Sequence, residues 1–314
     1  MRLVLRTLVL AAAGLALVVI VVGAYVRLSD AGLGCPDWPL CYGKPLPAGI
    51  ADQGALAKAW KEMGHRYLAG SLGLLILLIA VLSFKARQAF GLAASLVVLV
   101  AFQATLGAWT VTMLLKPAIV TLHLLGGMAT FALLIVLSLA HRQFEPAPAI
   151  RRLRGVAAAA LAVLVVQIVL GGWVSANYAA LACPDLPGCL GRALPPMDFA
   201  NAFHVLRELG RTGEGELLRL EALTAIHWTH RMAALLVVLV VGAAALRALR
   251  TPGAKTIGAA IASLVLAQFA LGAANVYFAL PLPLAAAHNA GAALLLASLV
   301  VLNFFAFRGL RPFR

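Results

Sequence analysis

Eight long apolar runs constrain this 314-residue chain more than anything else in it. They cover residues 8–26, 68–84, 91–115, 118–140, 156–176, 232–246, 257–280 and 284–307. Most approach or exceed the roughly 20 residues that carry a helix across a bilayer core. The run at 232–246 is short by itself, and the residues at 226–231 and 248–249 lengthen it enough to span. Only 11% of the residues are charged, too few to cover the surface of a soluble domain. The expected fold class is all-α integral membrane, with eight transmembrane helices. The first run is longer than the apolar stretch of a signal peptide, so residues 1–27 read as a retained helix.

A net charge of +14 suggests a nucleic-acid partner until its distribution is followed. With the N-terminus inside, the inner segments carry fourteen of the 25 Lys and Arg but only one of the 11 Asp and Glu, Glu145. Positive charge collects on the cytoplasmic side of membrane proteins. The distribution therefore argues for lipid surroundings and against nucleic acid, and it places both termini in the cytoplasm. The reading is a multi-pass protein of the plasma membrane, with its cysteine loops on the extracytoplasmic side.

The chain repeats itself. At an offset of 165, "HRYLAG" from His65 meets "HRMAAL" from His230, Gln103 meets Gln268, Gly107 meets Gly272, His123 meets His288 and Gly126 meets Gly291. Nearer the start of each half the offset is 148: Gly23 meets Gly171, and "CPDWPLC" at 35–41 meets "CPDLPGC" at 183–189. The change of offset marks 17 residues added in the polar stretch before His230, where an outer loop tolerates growth. Four helices followed by four keep one orientation in the membrane. The halves, 1–145 and 146–314, are expected as tandem four-helix bundles related by a pseudo-two-fold axis along the membrane normal. The first, third, fifth and seventh spans end in "VGAYV", "LGAWT", "LGGWV" and "LGAAN", whose small residues let neighbouring helices approach closely.

Each of these spans is followed by an outer loop and then by a helix with a histidine near its outer end: His65, His123, His230 and His288. His141 lies in an inner basic loop and His204 in the outer insertion, and both read as solvated. A single membrane histidine reads as a packing hydrogen bond. Four at matched depths read as ligands, because ionisable groups inside a bilayer are costly. Two imidazoles from two helices of a bundle suit a haem iron. His65 with His123 would hold one haem, and His230 with His288 a second. No CxxCH occurs, which excludes covalent attachment, and zinc wants more ligands than a pair supplies. Arg66 and Arg231 directly follow the first histidine of each pair. They are candidate propionate contacts through charge-assisted hydrogen bonds, or interfacial arginines that snorkel to the headgroups.

The halves differ where it matters for chemistry. Glu62 shares a helix face with His65 three residues on, and at an offset of 165 its place is taken by His227. A carboxylate can relay protons or stabilise developing positive charge. The first half is therefore the candidate for chemistry and Glu62 its candidate catalytic residue. The other reading of Glu62 is a helix-start acid favoured by the macrodipole. All four cysteines sit in the two repeated loops. On an oxidising outer side, Cys35–Cys41 and Cys183–Cys189 are the expected disulfides, with joint metal binding by the four thiolates as the alternative.

In order along the chain, "GAYVRLSDAGLGCPDWPLCYGKPLP", "EMGHR", "TLHLLGG", "HWTHRMAAL" and "AAHNAG" resemble the haem A synthase family, over almost the whole length. The resemblance implies oxidation of the position-8 methyl of haem O to a formyl, giving haem A for cytochrome c oxidase. It implies haem b as a bound cofactor in the C-terminal half, with His230 and His288 as axial ligands. It puts haem O, the substrate, at His65 and His123, and makes Glu62 the catalytic glutamate. Haem O synthase and cytochrome oxidase assembly are the implied partners, and the chain could form a homo-oligomer. A haem with two axial histidines has no open position for dioxygen. Either one of His65 and His123 releases the substrate iron, or electrons are drawn stepwise from the methyl carbon while water adds and Glu62 takes a proton. Two other classes compete. A dihaem b-type electron-transfer protein fits the histidines equally well but leaves Glu62 and the cysteine loops unexplained. A duplicated transporter would carry broken helices at the midplane, whereas the polar residues here gather at the outer end.

Overall fold

The computed structural model describes residues 2–311. Met1 and residues 312–314, including the Arg314 counted among the inner charges, lie outside the described residues. Among the described residues, eight helices are long and apolar enough to cross a membrane. They are α1 (Arg2–Leu28), α2 (Gln53–Ala86), α3 (Phe90–Thr112), α4 (Pro117–Ala140), α5 (Arg154–Ala176), α7 (Leu220–Leu249), α8 (Lys255–Tyr277) and α9 (Leu282–Arg308). A short helix, α6 (Phe199–Ala202), lies in the added segment of the second half.

The all-helical expectation needs a small amendment. β1 (Glu145–Pro146) pairs antiparallel with β2 (Leu310–Arg311), and a 3-10 turn, Pro148–Leu153, leads into α5. These pieces tie the linker between α4 and α5 to the end of α9.

Hydropathy marked the membrane-crossing part of each helix but not its ends. α2 begins at Gln53 and α7 at Leu220, well ahead of their apolar runs, because Glu62, His65, Arg66 and their counterparts fill the first turns. At ~1.5 Å per residue, the 34 residues of α2 make a rod of about 51 Å, against about 30 Å of hydrocarbon. Its first turns therefore stand clear of the lipid core. Asp52 starts α2 by accepting the Ala55 N–H at 2.6 Å, and Pro117 opens α4 where no amide donor is needed.

α1 packs on α2 and α4, and α3 packs on the same two, closing a ring of four. α5 packs on α7 and α9, and α8 closes that ring in the same way. Between the rings, α1 packs on α9, α5 on α4, and α4 on α9. One apolar core, from Leu5 and Val9 through Leu134 to Leu299 and Phe305, joins all eight long helices. Its members lie on one side of the histidines: on α1 it ends at Ile20 before Gly23, and on α4 it starts at Met128 after His123. The cysteine-loop end has two small apolar clusters of its own, one around Trp173 and Ile226 and one around Cys35, Cys41 and Met63.

Candidate active site

Each of the four histidines rests its ring on a glycine of a neighbouring helix. A Cβ added to Gly23 on α1 would sit 2.8 Å from Cε1 of His65 on α2. The same atom on Gly107 of α3 would lie 3.3 Å from Cε1 of His123, on Gly171 of α5 3.1 Å from that of His230, and on Gly272 of α8 3.4 Å from that of His288. These are the glycines of the four short motifs read as points of backbone approach. What approaches them is an imidazole. One turn deeper the relation reverses: the Gln103 side chain of α3 presses on Gly126 of α4, and Gln268 of α8 on Gly291 of α9. In α3–α4 and α8–α9, histidine packs into glycine in one direction and glutamine into glycine in the other.

His65 and His123 stand on helices diagonal in their ring, as do His230 and His288 in theirs. The Nδ1 atoms of His65, His123 and His288 are buried without a hydrogen-bond partner, and so are the amide nitrogens of Gln103 and Gln268. Buried polar atoms are normally paired, so these seats read as places for a ligand. Among the described residues, no three His, Cys, Asp or Glu side chains converge as a metal cage. Pairs of imidazoles over glycines are what the chain offers, a donor set of the kind that would hold a haem iron.

Glu62 is 4% exposed. Its Oε2 accepts the Cys35 N–H at 2.9 Å, and its Oε1 takes Arg66. Arg66 also donates to the carbonyls of Asp37 at 3.0 Å and Leu40 at 2.8 Å. Acid and base together fasten the first cysteine loop to α2. Gly34 permits the approach, since a Cβ there would lie 2.6 Å from the Lys58 carbonyl carbon. In the second half Arg231 fastens the loop alone, donating to the carbonyls of Cys183, Asp185 and Gly188 at 2.6, 2.9 and 2.7 Å. Its Nε donates to Nε2 of His227 at 3.3 Å. His227 thus takes the place of Glu62 as the arginine's partner.

Both expected disulfides are present, Cys35–Cys41 and Cys183–Cys189. Each loop is wound around an aspartate: Asp37 accepts from the N–H groups of Tyr42 and Gly43, and Asp185 from those of Leu190 and Gly191. The amide of Gly191, and after it that of Leu190, holds the Asp185 carboxyl below its usual range. The loop carbonyls were not foreseen as partners of Arg66 and Arg231. The available signal was the spacing, since an arginine four residues after an acid on a helix pairs with it and has donors to spare.

Three further features had no counterpart in the sequence reading. Gln167 of α5 lies beside the His230 ring, 3.2 Å from Nδ1. Arg27, at the end of α1, donates to the Ser175 carbonyl of α5 at 2.9 Å and stacks 3.7 Å over the ring of Tyr178, whose hydroxyl donates to Asp30 at 3.1 Å. Arg207, 2% exposed, donates to Asn177 Oδ1 at 2.6 Å and fixes the added segment to the end of α5. His204 is exposed, as expected. His141 is not solvated as expected: it is half-buried at the end of α4, its Nε2 has no partner, and burial lowers its pKa.

Residues 6–300 match the family model described as cytochrome oxidase assembly protein, COX15-CtaA. A protein named "Heme A synthase" from Shewanella oneidensis is 42% identical over 305 residues, 92% of each chain. The chain belongs to the haem A synthase family. More distant relatives carrying the same name come from Methylobacterium radiotolerans, 30% identical over 90% of this chain and 85% of its own length, and from Halalkalibacterium halodurans, 29% identical over 68% and 72%. Across this family match, the first cysteine loop, Glu62 and all four glycine-seated histidines fall inside the matched residues.

Proposed function

We propose that this member of the haem A synthase family is itself a haem A synthase, oxidising the position-8 methyl of haem O to the formyl of haem A. The observation that carries the reading is two like pairs of glycine-seated imidazoles, of which one alone has a buried carboxylate a turn away. His65 and His123 hold the substrate haem O. His230 and His288 hold haem b, which when bound supplies one-electron exchange. Glu62 accepts a proton released as the methyl is oxidised and stabilises positive charge that develops there. Arg66 orients Glu62. Arg66 and Arg231 reach a propionate with donors not spent on the loops. The reading is preferred to a dihaem electron-transfer protein because the chain matches the haem A synthase family over almost its whole length.

The two halves, 1–145 and 146–314, are tandem bundles about a pseudo-two-fold axis along the membrane normal. In support, the pattern of packed helices is unchanged when α1, α2, α3 and α4 are exchanged with α5, α7, α8 and α9. The Arg27–Ser175 and Asp30–Tyr178 contacts each join positions 148 apart, which the repeat makes equivalent. Equivalent residues meet only at a two-fold axis. The arginine and lysine distribution supports a reading with both termini on the cytoplasmic side of the plasma membrane and the disulfide loops outside. Haem O synthase is the source of substrate, and a homo-oligomer is compatible with the exposed helix faces.

Pigment extraction and optical spectra of the purified protein test the proposal. His230→Ala should lose haem b, while Glu62→Ala keeps its haems and accumulates haem O or a hydroxylated form. If His65→Ala and His230→Ala lose the same b-type haem and no haem O or haem A is ever extracted, the synthase reading fails.

A further inference from the structure

We infer that Gln167 is a positioning residue for His230 and sets the reduction potential of the haem that His230 holds. The inference rests on the haem b reading above. Gln167 precedes Gly171 by four residues on α5, so both face α7. Gly171 makes room for the imidazole, and the Gln167 amide stands beside it. Nε2 of the amide lies 3.2 Å from Nδ1 and 3.4 Å from Nε2 of the ring, and it donates to the His230 carbonyl at 3.1 Å. Oε1 of the amide is buried without a partner. At an offset of 148, the first half has Val19 in the place of Gln167. His230 is therefore the one member of the four whose Nδ1 has a side chain within hydrogen-bond reach, since Nδ1 of His65, His123 and His288 has none.

The two ends of an amide are alike in shape, and the hydrogen-bond network assigns them. A neutral histidine that gives Nε2 to iron carries its proton on Nδ1. The Gln167 amide then presents Oε1 to that proton. The turn gives Oε1 a donor, gives up the bond to the His230 carbonyl, and moves Nε2 into the buried place that Oε1 held. An imidazole whose Nδ1–H is hydrogen-bonded is a more basic ligand. A stronger donor favours ferric over ferrous iron, which lowers the potential. His65 has valine at the matching place, so a single repeated position tunes the two sites apart.

The test is a spectroelectrochemical titration of the b-type haem in the purified holoprotein, comparing wild type with Gln167→Val and Gln167→Glu. Gln167→Val, which copies the first half, should raise the midpoint. Gln167→Glu, a stronger acceptor, should lower it. Each shift should be about tenfold in the ferric-to-ferrous equilibrium, about 59 mV for one electron. The iron–imidazole stretch in resonance Raman spectra should move in the same order. Equal midpoints in all three proteins overturn the inference, and so does a Gln167→Glu midpoint above wild type. If Gln167→Val fails to retain haem, Gln167→Glu and Gln167→Asn carry the comparison. His230→Ala separates the two levels: haem b retained there overturns the ligand assignment itself, whereas haem b lost there with inert Gln167 variants overturns only the tuning role.

Discussion

A glycine facing an imidazole is a small feature with a large lever. The space beside each ring is the missing Cβ, so any larger residue must push the ring or the helix. Gly107→Leu should displace His123 and lower haem retention in the first half by about tenfold, the scale on which support of a metal ligand is felt. Haem content per protein measures it. Gly14→Leu is the control, because nothing lies within 4 Å of the Cβ position there. The histidines and Glu62 were legible in the sequence, since the repeat aligns them and polar residues inside a membrane stand out. The seats were not legible as seats. "VGAYV" and "LGAWT" show small residues, and only the packing says which group fills the space beside them. Gln167 was missed although a signal was there: like Gln103 and Gln268 it stands four residues before a seat glycine in Q-x-x-L-G, and only Val19 breaks the pattern.

Helices α2 and α7 do two jobs along their length, spanning the apolar core at one end and fastening a disulfide loop at the other. The fastenings are unequal. On α2 the loop hangs on an ion pair whose side chains are 6% and 13% exposed. On α7 an arginine alone reaches three carbonyls. Removing Arg66 would leave Glu62 buried and unpaired, so Arg66→Ala should cost on the order of 3 kcal/mol. Arg66→Lys should recover part of the loss, because an ammonium keeps the charge but not the forked reach to Asp37 and Leu40. Thermal unfolding in detergent ranks the three. An Arg66→Ala protein as stable as wild type would show that the clamp is ornamental. Helix existence was readable from hydropathy at this scale, and helix ends were not. The outer turns of α2 and α7 are too polar to register as membrane spans, yet continue the same helices because their backbone bonds close within the helix.

Across the whole molecule, the rings of α1–α4 and of α5, α7, α8 and α9 meet through a shared core and, at the loop end, through Arg27, Tyr178 and Asp30, the last also paired with Lys58 of its own ring. Lys58 and then Tyr178 hold the Asp30 carboxyl below its usual range. A carboxyl lowered by folding stabilises the fold above its unfolded pKa, about 3.9, and loses that contribution as pH falls through its lower folded value. The contact between the halves is therefore intact at neutral pH and weakens only below about pH 4. Asp30 is exposed, so the effect is small. Tyr178→Phe should lower the neutral plateau of thermal stability slightly and converge with wild type once Asp30 is protonated in acid. A neutral plateau identical to wild type would show that the hydroxyl contributes nothing across the interface. The repeat argues for two halves, and the offsets of 148 and 165 assign the added residues to the segment before His230. Neither offset says which surfaces meet, because no periodicity records the partner of Arg27.

The contacts at 148-residue spacing carry a historical consequence. If the halves began as two copies of one shorter chain, the copies met across an axis where every side chain faced its own twin. Arginine would have faced arginine there, or serine serine. Two unlike groups can be set against each other at such a place only after the copies are joined and free to change separately. The arginine–carbonyl contact, its guanidinium stacked on tyrosine, and the tyrosine–aspartate bond would then be younger than the paired imidazoles, and they mark the point at which a symmetric assembly became a single asymmetric machine.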